Sequence, residues 1–324
     1  MPSAIIEHMP TSKRSAEERI RVAAWHARIG KCGPIARRLA RALRWALPVH
    51  GIILATNMVL GEPRSATEPS PATVELDGVV FDLDLREQRH RLVYLDLFDI
   101  ELRRVILPLL RPGDLVVDVG ANFGFWALAA ANRGCRVVAI EPIPPTRELL
   151  VANAIRNGLQ DHLEVVSDAM SDAVGELTLM IPDGEGGRAS AHPEPATNME
   201  EFTVAATTLD DLVGDRHIRL LKIDVEGHEV SVLSGAKNML GNGSVDYVMI
   251  EIVGRHLERA GSSASDLCTL LTDSGFELVR WVHALDGLFP KARPRLPSMG
   301  EIGVQHGDAL WKWRGSSTAT PAAQ

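Results

Sequence analysis

Val116-Val117-Asp118-Val119-Gly120-Ala121-Asn122-Phe123-Gly124 reads as a buried strand running straight into a glycine-bearing turn. In an α/β sheet such a junction receives a nucleotide-like ligand. Two glycines four apart let the backbone pass close to the ligand and then enter a helix, expected here from Phe125 to Ala131. The spacing departs from Gly-x-Gly-x-x-Gly, which brings a helix N-terminus up to a pyrophosphate: here the turn offers Gly120, Ala121, Asn122 and only then Gly124. Asp118 near the strand end suits a cationic ligand better than a phosphate. S-adenosylmethionine, with its ammonium and sulfonium, meets that description; tight-turn packing is the alternative use of the same glycines.

Working outward, Arg136-Val137-Val138-Ala139-Ile140-Glu141-Pro142 is a second short apolar run ending in a carboxylate, one helix length after the first. It completes a β-α-β unit, in which Glu141 stands roughly 20 residues past the glycine turn, where an acid can accept hydrogen bonds from both ribose hydroxyls. Capping the helix expected from Pro144 onward is its other reading. A third strand, Leu163 to Val166, leads to Ser167-Asp168-Ala169. That places Asp168 and Ala169 beside an adenine, although the segment also reads as an ordinary polar loop. Leu220-Leu221-Lys222-Ile223-Asp224-Val225-Glu226-Gly227-His228-Glu229 is an apolar strand that abruptly collects five ionisable side chains. Period-2 alternation puts Lys222, Asp224 and Glu226 on one side, and a helix is expected over Glu229 to Gly235. Catalytic use competes with a structural ion-pair network in which Lys222 neutralises Asp224 and Glu226 caps the helix. Val245 to Glu251 is a further strand ending in an acid.

These residues resemble the FkbM-like methyltransferases. The resemblance is carried by Asp118 to Gly124, Glu141-Pro142, Ser171-Asp172 followed by Gly175, Thr208-Leu209-Asp210-Asp211-Leu212 and Lys222 to Glu229, and it runs from about Leu92 to Trp281. It implies an α/β, Rossmann-like class I methyltransferase fold: a seven-stranded, mostly parallel sheet with helices on both faces. It also implies S-adenosylmethionine as cofactor and methylation of a hydroxyl group, often on a sugar or polyketide. The expected cofactor residues are Asp118, Gly120, Ala121, Asn122, Gly124, Glu141, Asp168 and Ala169. Glu101 matches an acid that the family tends to carry before its first strand, and is a candidate for the methionyl ammonium or for a solvated helix face.

The chain has 324 residues, 45% of them hydrophobic, enough for one α/β domain with appendages. A net charge of −8 argues against nucleic acid as a partner, since phosphate neutralisation needs a basic surface. The charge is uneven. Met1 to His50 carry ten Lys or Arg against Glu7, Glu17 and Glu18, so this segment is +7 and the remainder −15. Cys32, Cys135 and Cys268 are far apart and read as reduced, mostly buried thiols of a cytoplasmic protein. No signal-peptide core is evident at the N-terminus, and Leu43 to Leu60 is too short and interrupted for a membrane span.

Three parts are expected: a basic helical extension and linker over residues 1–72, a methyltransferase domain over 73–314, and a tail over 315–324. The periodicity from Ser12 to Leu47 predicts two helices broken at Gly33-Pro34. They read as a cap on the catalytic domain or on a second subunit, as a surface for peripheral contact with an acidic membrane, or as partly disordered. Glu62 to Pro71 reads as a linker. Thr73 to Leu85 reads as a β-hairpin turning at Asp77-Gly78 and forming part of a substrate-side wall, and Leu92 to Leu110 as one helix. Strands are expected at Glu176 to Ile181 and Phe202 to Ala206. Between them Pro182 to Glu201 reads as a lid using Arg188, Ser190 and His192, or as a plain surface insertion. A helix over Asp266 to Gly275 precedes an edge strand from Phe276 to Trp281. Leu285 to Gly307 is expected to wrap the substrate side.

Methyl transfer from a sulfonium is an in-line displacement, so the protein must orient, desolvate and receive a proton. Asp224 is expected to face the methyl and take the proton or orient the acceptor, with His228 assisting and Lys222, Glu226 and Glu229 in electrostatic support. No metal is expected. The alternative within the same chemistry puts a divalent ion on Asp224, Glu251 and His228. The rival from a different class is a non-catalytic S-adenosylmethionine-binding subunit of a biosynthetic complex. The acceptor is expected to be a small molecule or glycan, for which Trp281, Trp311 and Trp313 offer rings for sugar stacking or simply packing. A homo-oligomer is compatible with the sequence.

Overall fold

The computed structural model describes residues 33–40, 42, 71–182, 189–194, 198–283, 302 and 306–315. The expectations for residues 1–32, for Leu43 to Leu60, for the Glu62 to Pro71 linker, for Arg188, and for most of both the Leu285 to Gly307 wrap and the tail lie outside the described residues.

The first described strands are β1 (Pro71–Leu76) and β2 (Val79–Asp84), an antiparallel hairpin whose turn residues Asp77 and Gly78 both have positive φ, 52° and 81°. Two left-handed residues in a two-residue loop match the strands' twist, which is why Asp-Gly selects this turn. The free edge of β2 is paired by side chains. Asn157 accepts from the Val80 N–H at 2.8 Å and donates to its carbonyl at 2.7 Å, while Asn153 accepts from the Asp82 N–H at 2.8 Å and donates to its carbonyl at 3.3 Å. Asn153 lies on α4 (Pro144–Arg156) and Asn157, one turn further on, is its C-cap, so the hairpin is docked on a helix and does not line the cleft described below.

Leu92 to Leu110 is not one helix. It divides into α1 (Gln88–Tyr94), α2 (Ile100–Ile106) and a short 3-10 turn, because Asp96 and Asp99 take left-handed φ values of 59° and 47° between them. Each aspartate has a partner that holds it there. Asp96 accepts from Arg103 at 2.8 Å, and Asp99 accepts from the Trp126 indole at 2.9 Å.

The main sheet comprises β3 (Leu115–Val119), β4 (Arg136–Ile140), β5 (Leu163–Val166), β9 (Ile218–Ile223), β10 (Val245–Val253), β11 (Phe276–His283) and β12 (His306–Trp313), in the order β11-β12-β10-β9-β3-β4-β5. The five strands from β5 to β10 are mutually parallel. β12 lies antiparallel between β10 and β11, which restores β11 to the common direction. This is the expected seven-stranded, mostly parallel α/β sheet. β3 is buried along its whole length, as a central strand covered on both faces must be, and the same holds for α3 (Phe125–Ala131) behind it. β12 was not anticipated; it lies beyond the reach of the sequence resemblance. Trp281 and Trp311 are buried packing residues of this end of the core, which removes them as sugar-stacking surfaces.

A second, three-stranded sheet forms from β6 (Ala169–Met170), β8 (Met199–Thr207) and β7 (Gly175–Pro182), where two strands were expected. The helices α5 (Leu209–Val213), α6 (Glu229–Ser234), α7 (Lys237–Gly241), α8 (Gly254–Arg259) and α9 (Ala264–Asp273) complete the layers. Ser263 and Asp266 cap α9 reciprocally. Among the described residues no helix is long and apolar enough to cross a membrane.

Candidate active site

A cleft of about 600 Å³ opens at the carboxyl ends of β3, β4 and β9, the end of a parallel sheet where ligands bind. On one wall the β3 turn passes Gly120 (φ 79°) and Asn122 (φ 52°) into Gly124 (φ 94°), which caps α3. Gly120 is dictated by proximity as well as by φ. A β-carbon there would come within 2.0 Å of the Asp224 carbonyl oxygen, because the β9 loop crosses directly over it and the Asp224 N–H donates to the Val119 carbonyl at 3.1 Å. Glu141 lines the floor. Its carboxylate accepts from the Asn122 and Ile143 N–H groups, both at 2.9 Å, so it joins two loops and also serves the start of α4. Burial pushes its pKa up to about 7 against those two hydrogen bonds. Pro142, Ala169, Met170, Leu177, Leu179 and Ala189 add an apolar slot, partly built by the second sheet.

The opposite wall is the loop after β9. The strand ends at Ile223, so the alternation expected to carry Glu226 stops short; Glu226 reaches the cleft through a left-handed turn (φ 54°) followed by Gly227 (φ 111°). Both oxygens of Glu226 face cations or a potential cation: Oε1 forms an ion pair with Arg89, and Oε2 lies 3.2 Å from His256 Nδ1. Glu229, nearly fully buried, accepts from the Gly227 N–H at 3.0 Å and the Val225 N–H at 3.3 Å, and staples the loop. Burial raises its pKa to about 8.

Asp224 has a different environment. Lys222 Nζ is 3.6 Å from one oxygen and Arg89 is 4.0 Å from the other, but each cation has a closer acid: Asp118 at 3.1 Å for Lys222, and Glu226 for Arg89. Asp224 Oδ1 has no hydrogen-bond partner among the described residues. Burial alone would raise this carboxyl; Lys222 and Arg89 outweigh it and hold Asp224 below the usual carboxylate range. Beyond Asp224 stand Glu251, Asp99 and Asp308, all three pushed upward, first by burial and then by the charge of Asp224, joined by Glu226 for Glu251 and by Asp99 and Glu251 for Asp308. Asp224, Glu226 and Glu251 bring carboxylate oxygens within 4.8 Å of each other, with Arg89 already facing the first two. His228 does not join this group. Its Nε2 is 3.0 Å from Ser171 Oγ, its Nδ1 is enclosed without a partner, and its ring stacks at 5.9 Å on His192. Burial lowers its pKa.

The structure thus brings Gly120, Asn122, Glu141, Ala169, Asp224, Glu226 and His228 to one cleft. Four expected residues do not line it. Asp118 lies beneath, buried against Lys222; Ala121 is buried in the turn; Gly124 is the helix cap; Asp168 sits one residue outside. Glu101 pairs with Arg104 instead, and the acid electrostatically joined to Asp224 is Asp99, two residues earlier. Within the insertion, Ser190 bridges Met180 and donates to the Glu226 carbonyl at 2.8 Å, while Arg259 donates to the His192 carbonyl at 3.1 Å. The described part of that segment is therefore anchored to the loop after β9 and to α8. Arg89 was missed altogether: it lies in Arg86-Glu87-Gln88-Arg89-His90-Arg91, where nothing in the sequence sets it apart from its basic neighbours.

The profile of the methyltransferase FkbM domain matches residues 118–278. The chain is 28% identical over 203 residues to 31-O-demethyl-FK506 methyltransferase FkbM of Streptomyces tacrolimicus, covering 52% of this chain and 75% of that one. It is 28% identical over 175 residues to hexuronic acid methyltransferase AglP of Haloferax volcanii, covering 53% and 66%. A solved structure of methyltransferase FkbM from Methylobacillus flagellatus KT aligns at 17% identity with a TM-score of 0.39, covering 89% of this chain and 60% of that one. Fold, cleft and relatives define an S-adenosylmethionine-dependent methyltransferase. Within that class the chain belongs to the FkbM family.

The residues fit the cofactor. Gly120 leaves room that a β-carbon would fill, Glu141 offers carboxylate oxygens at the floor, the slot beside it is apolar, and Asp224 offers an anionic carboxylate for a cation.

Proposed function

We propose that this chain methylates a hydroxyl group of a small polyoxygenated acceptor, a sugar or a secondary metabolite. The observation that carries the reading is Asp224: a carboxylate lining the cleft, held below the usual carboxylate range, with both neighbouring cations nearer to other acids. Two relatives support an oxygen acceptor through their names, one denoting a 31-O-demethyl substrate and the other a hexuronic acid.

When bound, the cofactor supplies a methyl carbon on a cationic sulfur, already activated for in-line displacement. Gly120 and Asn122 give the backbone approach, Glu141 accepts from ribose hydroxyls, and Pro142, Met170, Leu177 and Leu179 enclose the base. Asp224 orients the acceptor hydroxyl. With the cofactor bound, Asp224 would receive the hydroxyl proton as the acceptor oxygen takes the methyl group. A weakly basic carboxylate suffices, because an oxygen gaining a third bond becomes strongly acidic. His228 has one nitrogen on Ser171 and the other enclosed, so it holds the loop against the insertion and is not the proton acceptor.

Transfer of label from methyl-tritiated cofactor to a panel of hydroxylated acceptors tests this. Asp224→Asn should lower turnover by about 10² to 10⁴-fold, the usual contribution of a general base. Turnover within threefold of the parent chain would refute the assignment.

A further inference from the structure

Lys222 sits on β9 directly across from Asp118 on β3 in the parallel register, at the point where the two loops framing the cleft diverge. Its side chain is 5% exposed. Its Nζ stands 3.1 Å from Asp118, 3.6 Å from Asp224 and 3.5 Å from the Gly120 carbonyl. A buried ammonium without a counter-charge is strongly disfavoured, and one carboxylate is enough to neutralise it. Two are present. With Arg89 committed to Glu226 in the same way, one negative charge remains over, and it resides on Asp224, the carboxylate that lines the cleft.

We infer that Lys222 is a positioning residue for cofactor discrimination: through its contact it keeps Asp224 ionised and fixed, while Asp118 prevents it from cancelling Asp224's charge. This rests on the methyltransferase reading. The sulfonium cofactor carries one positive charge more than its thioether product, so a fixed carboxylate at the cleft favours the first and lets the second leave. An ammonium paired with Asp224 alone would abolish that difference, and no ammonium at all would let Asp224 protonate. The second point follows from what else surrounds it. Glu251, Asp99, Asp308, Glu226 and Glu229 all face this region, and among the described residues the other basic groups there are Arg89, His306 beside Glu251 and His256 beside Glu226.

Lys222→Met alone would strand a buried Asp118, so the informative variant is Asp118→Asn/Lys222→Met, which removes the pair together and keeps the shapes close. Replacing a buried ion pair by neutral side chains is often tolerated. Lys222→Arg keeps the charge and serves as control. Two quantities are read: the ¹³C titration of the Asp224 carboxyl, assigned by its loss in Asp224→Asn, and the ratio of dissociation constants for S-adenosylmethionine and S-adenosylhomocysteine from pH 5 to 8.

In the double variant the Asp224 midpoint should rise by at least about one pH unit, and the pH below which the preference for the sulfonium falls away should rise by the same amount. Lys222→Arg should keep both near the parent values. An unmoved Asp224 midpoint, an unmoved preference, or a loss in Lys222→Arg equal to that in the double variant would each overturn the inference. If the parent chain bound neither ligand, the methyltransferase reading would fail, while the carboxyl titration would still report whether Lys222 holds Asp224.

Discussion

Gly120→Ala should separate the cofactor loop from the catalytic loop, with an effect on ligand binding well beyond its effect on stability. A β-carbon at Gly120 stands 2.0 Å from the Asp224 carbonyl oxygen and 3.1 Å from its carbon, so a backbone has to move; no flexible side-chain end is there to yield. Reaching the 3.4 Å of ordinary contact requires the two loops to part by 1.4 Å. That displaces Asp224 and weakens the 3.1 Å hydrogen bond from its N–H to Val119. The left-handed φ of 79° adds about 1–2 kcal/mol of strain for any residue with a β-carbon. A misplacement of about 1 Å at a reacting centre costs about 100-fold, and the same loss in affinity corresponds to about 2.8 kcal/mol.

The assay is calorimetric titration with S-adenosylhomocysteine alongside urea unfolding. Gly158→Ala is the control, since its φ is also left-handed, at 67°, but nothing lies within 4 Å of the new carbon. Gly158→Ala should show the backbone strain alone, about 1–2 kcal/mol of stability, with affinity unchanged. If Gly120→Ala bound the ligand within threefold of the parent while remaining folded, the close crossing of the two loops would not be what shapes the cleft.

Glu229 makes stability pH-dependent. Its folded pKa, about 8, lies above its ordinary 4.5, so its protonated form is favoured in the fold; the contribution is fully present below pH 4.5 and is lost as pH rises through 8. Between pH 5 and 7.5 the parent chain should lose about 3 kcal/mol that Glu229→Gln retains, measured by urea midpoints; equal pH dependence in both chains would contradict the assignment. Asn153→Ala should cost about 2 kcal/mol by leaving the Asp82 backbone N–H and carbonyl unpaired, and Asn157→Ala somewhat less, since Asn153 is the more buried. A cost under about 0.5 kcal/mol for Asn153→Ala would mean that water replaces the asparagine at that edge. Arg89→Met should lower methyl transfer at least tenfold while leaving S-adenosylhomocysteine affinity within threefold, because Arg89 meets Asp224 and Glu226 and no residue of the glycine turn. Equal losses in both would place Arg89 on the cofactor instead.

The parallel half of the fold was readable because its signals are local. Leu115–Val119, Arg136–Ile140 and Ile218–Ile223 are apolar runs with sharp ends, and Asp77-Gly78 has one favoured turn. What escaped reading depends on distant partners. The break at Leu95 to Asp99 interrupts a sequence that is helical by periodicity. It exists because Arg103 and Trp126 reward two aspartates for leaving the helix, and neither partner can be identified without the fold. β12 is recognised as a strand only against the edges of β10 and β11. Glu226 was assigned to the right cleft for the wrong reason. Alternation beyond Ile223 had no strand to act on, and a left-handed residue before Gly227 does the turning.

The cleft also divides along the chain in a way that bears on what the relatives can teach. The glycine turn, Glu141, Lys222, Asp224 and Glu226 all fall within residues 118–278, the span matched by the family profile. Arg89 and Asp99 precede that span, and Asp308 follows it, yet all three are electrostatically joined to Asp224. They arrive from α1, from the start of α2 and from β12, elements anchored by His90 accepting from the Asp84 N–H at the end of the hairpin, by Trp126, and by pairing to β10. A chain can therefore keep the matched span intact and still change the charge on the far side of Asp224. Lys222 acts on Asp99 and Asp308, Arg89 pairs with Glu226, and His306 and His256 stand against Glu251 and Glu226, so the charge on that side is set jointly by residues within the matched span and residues outside it.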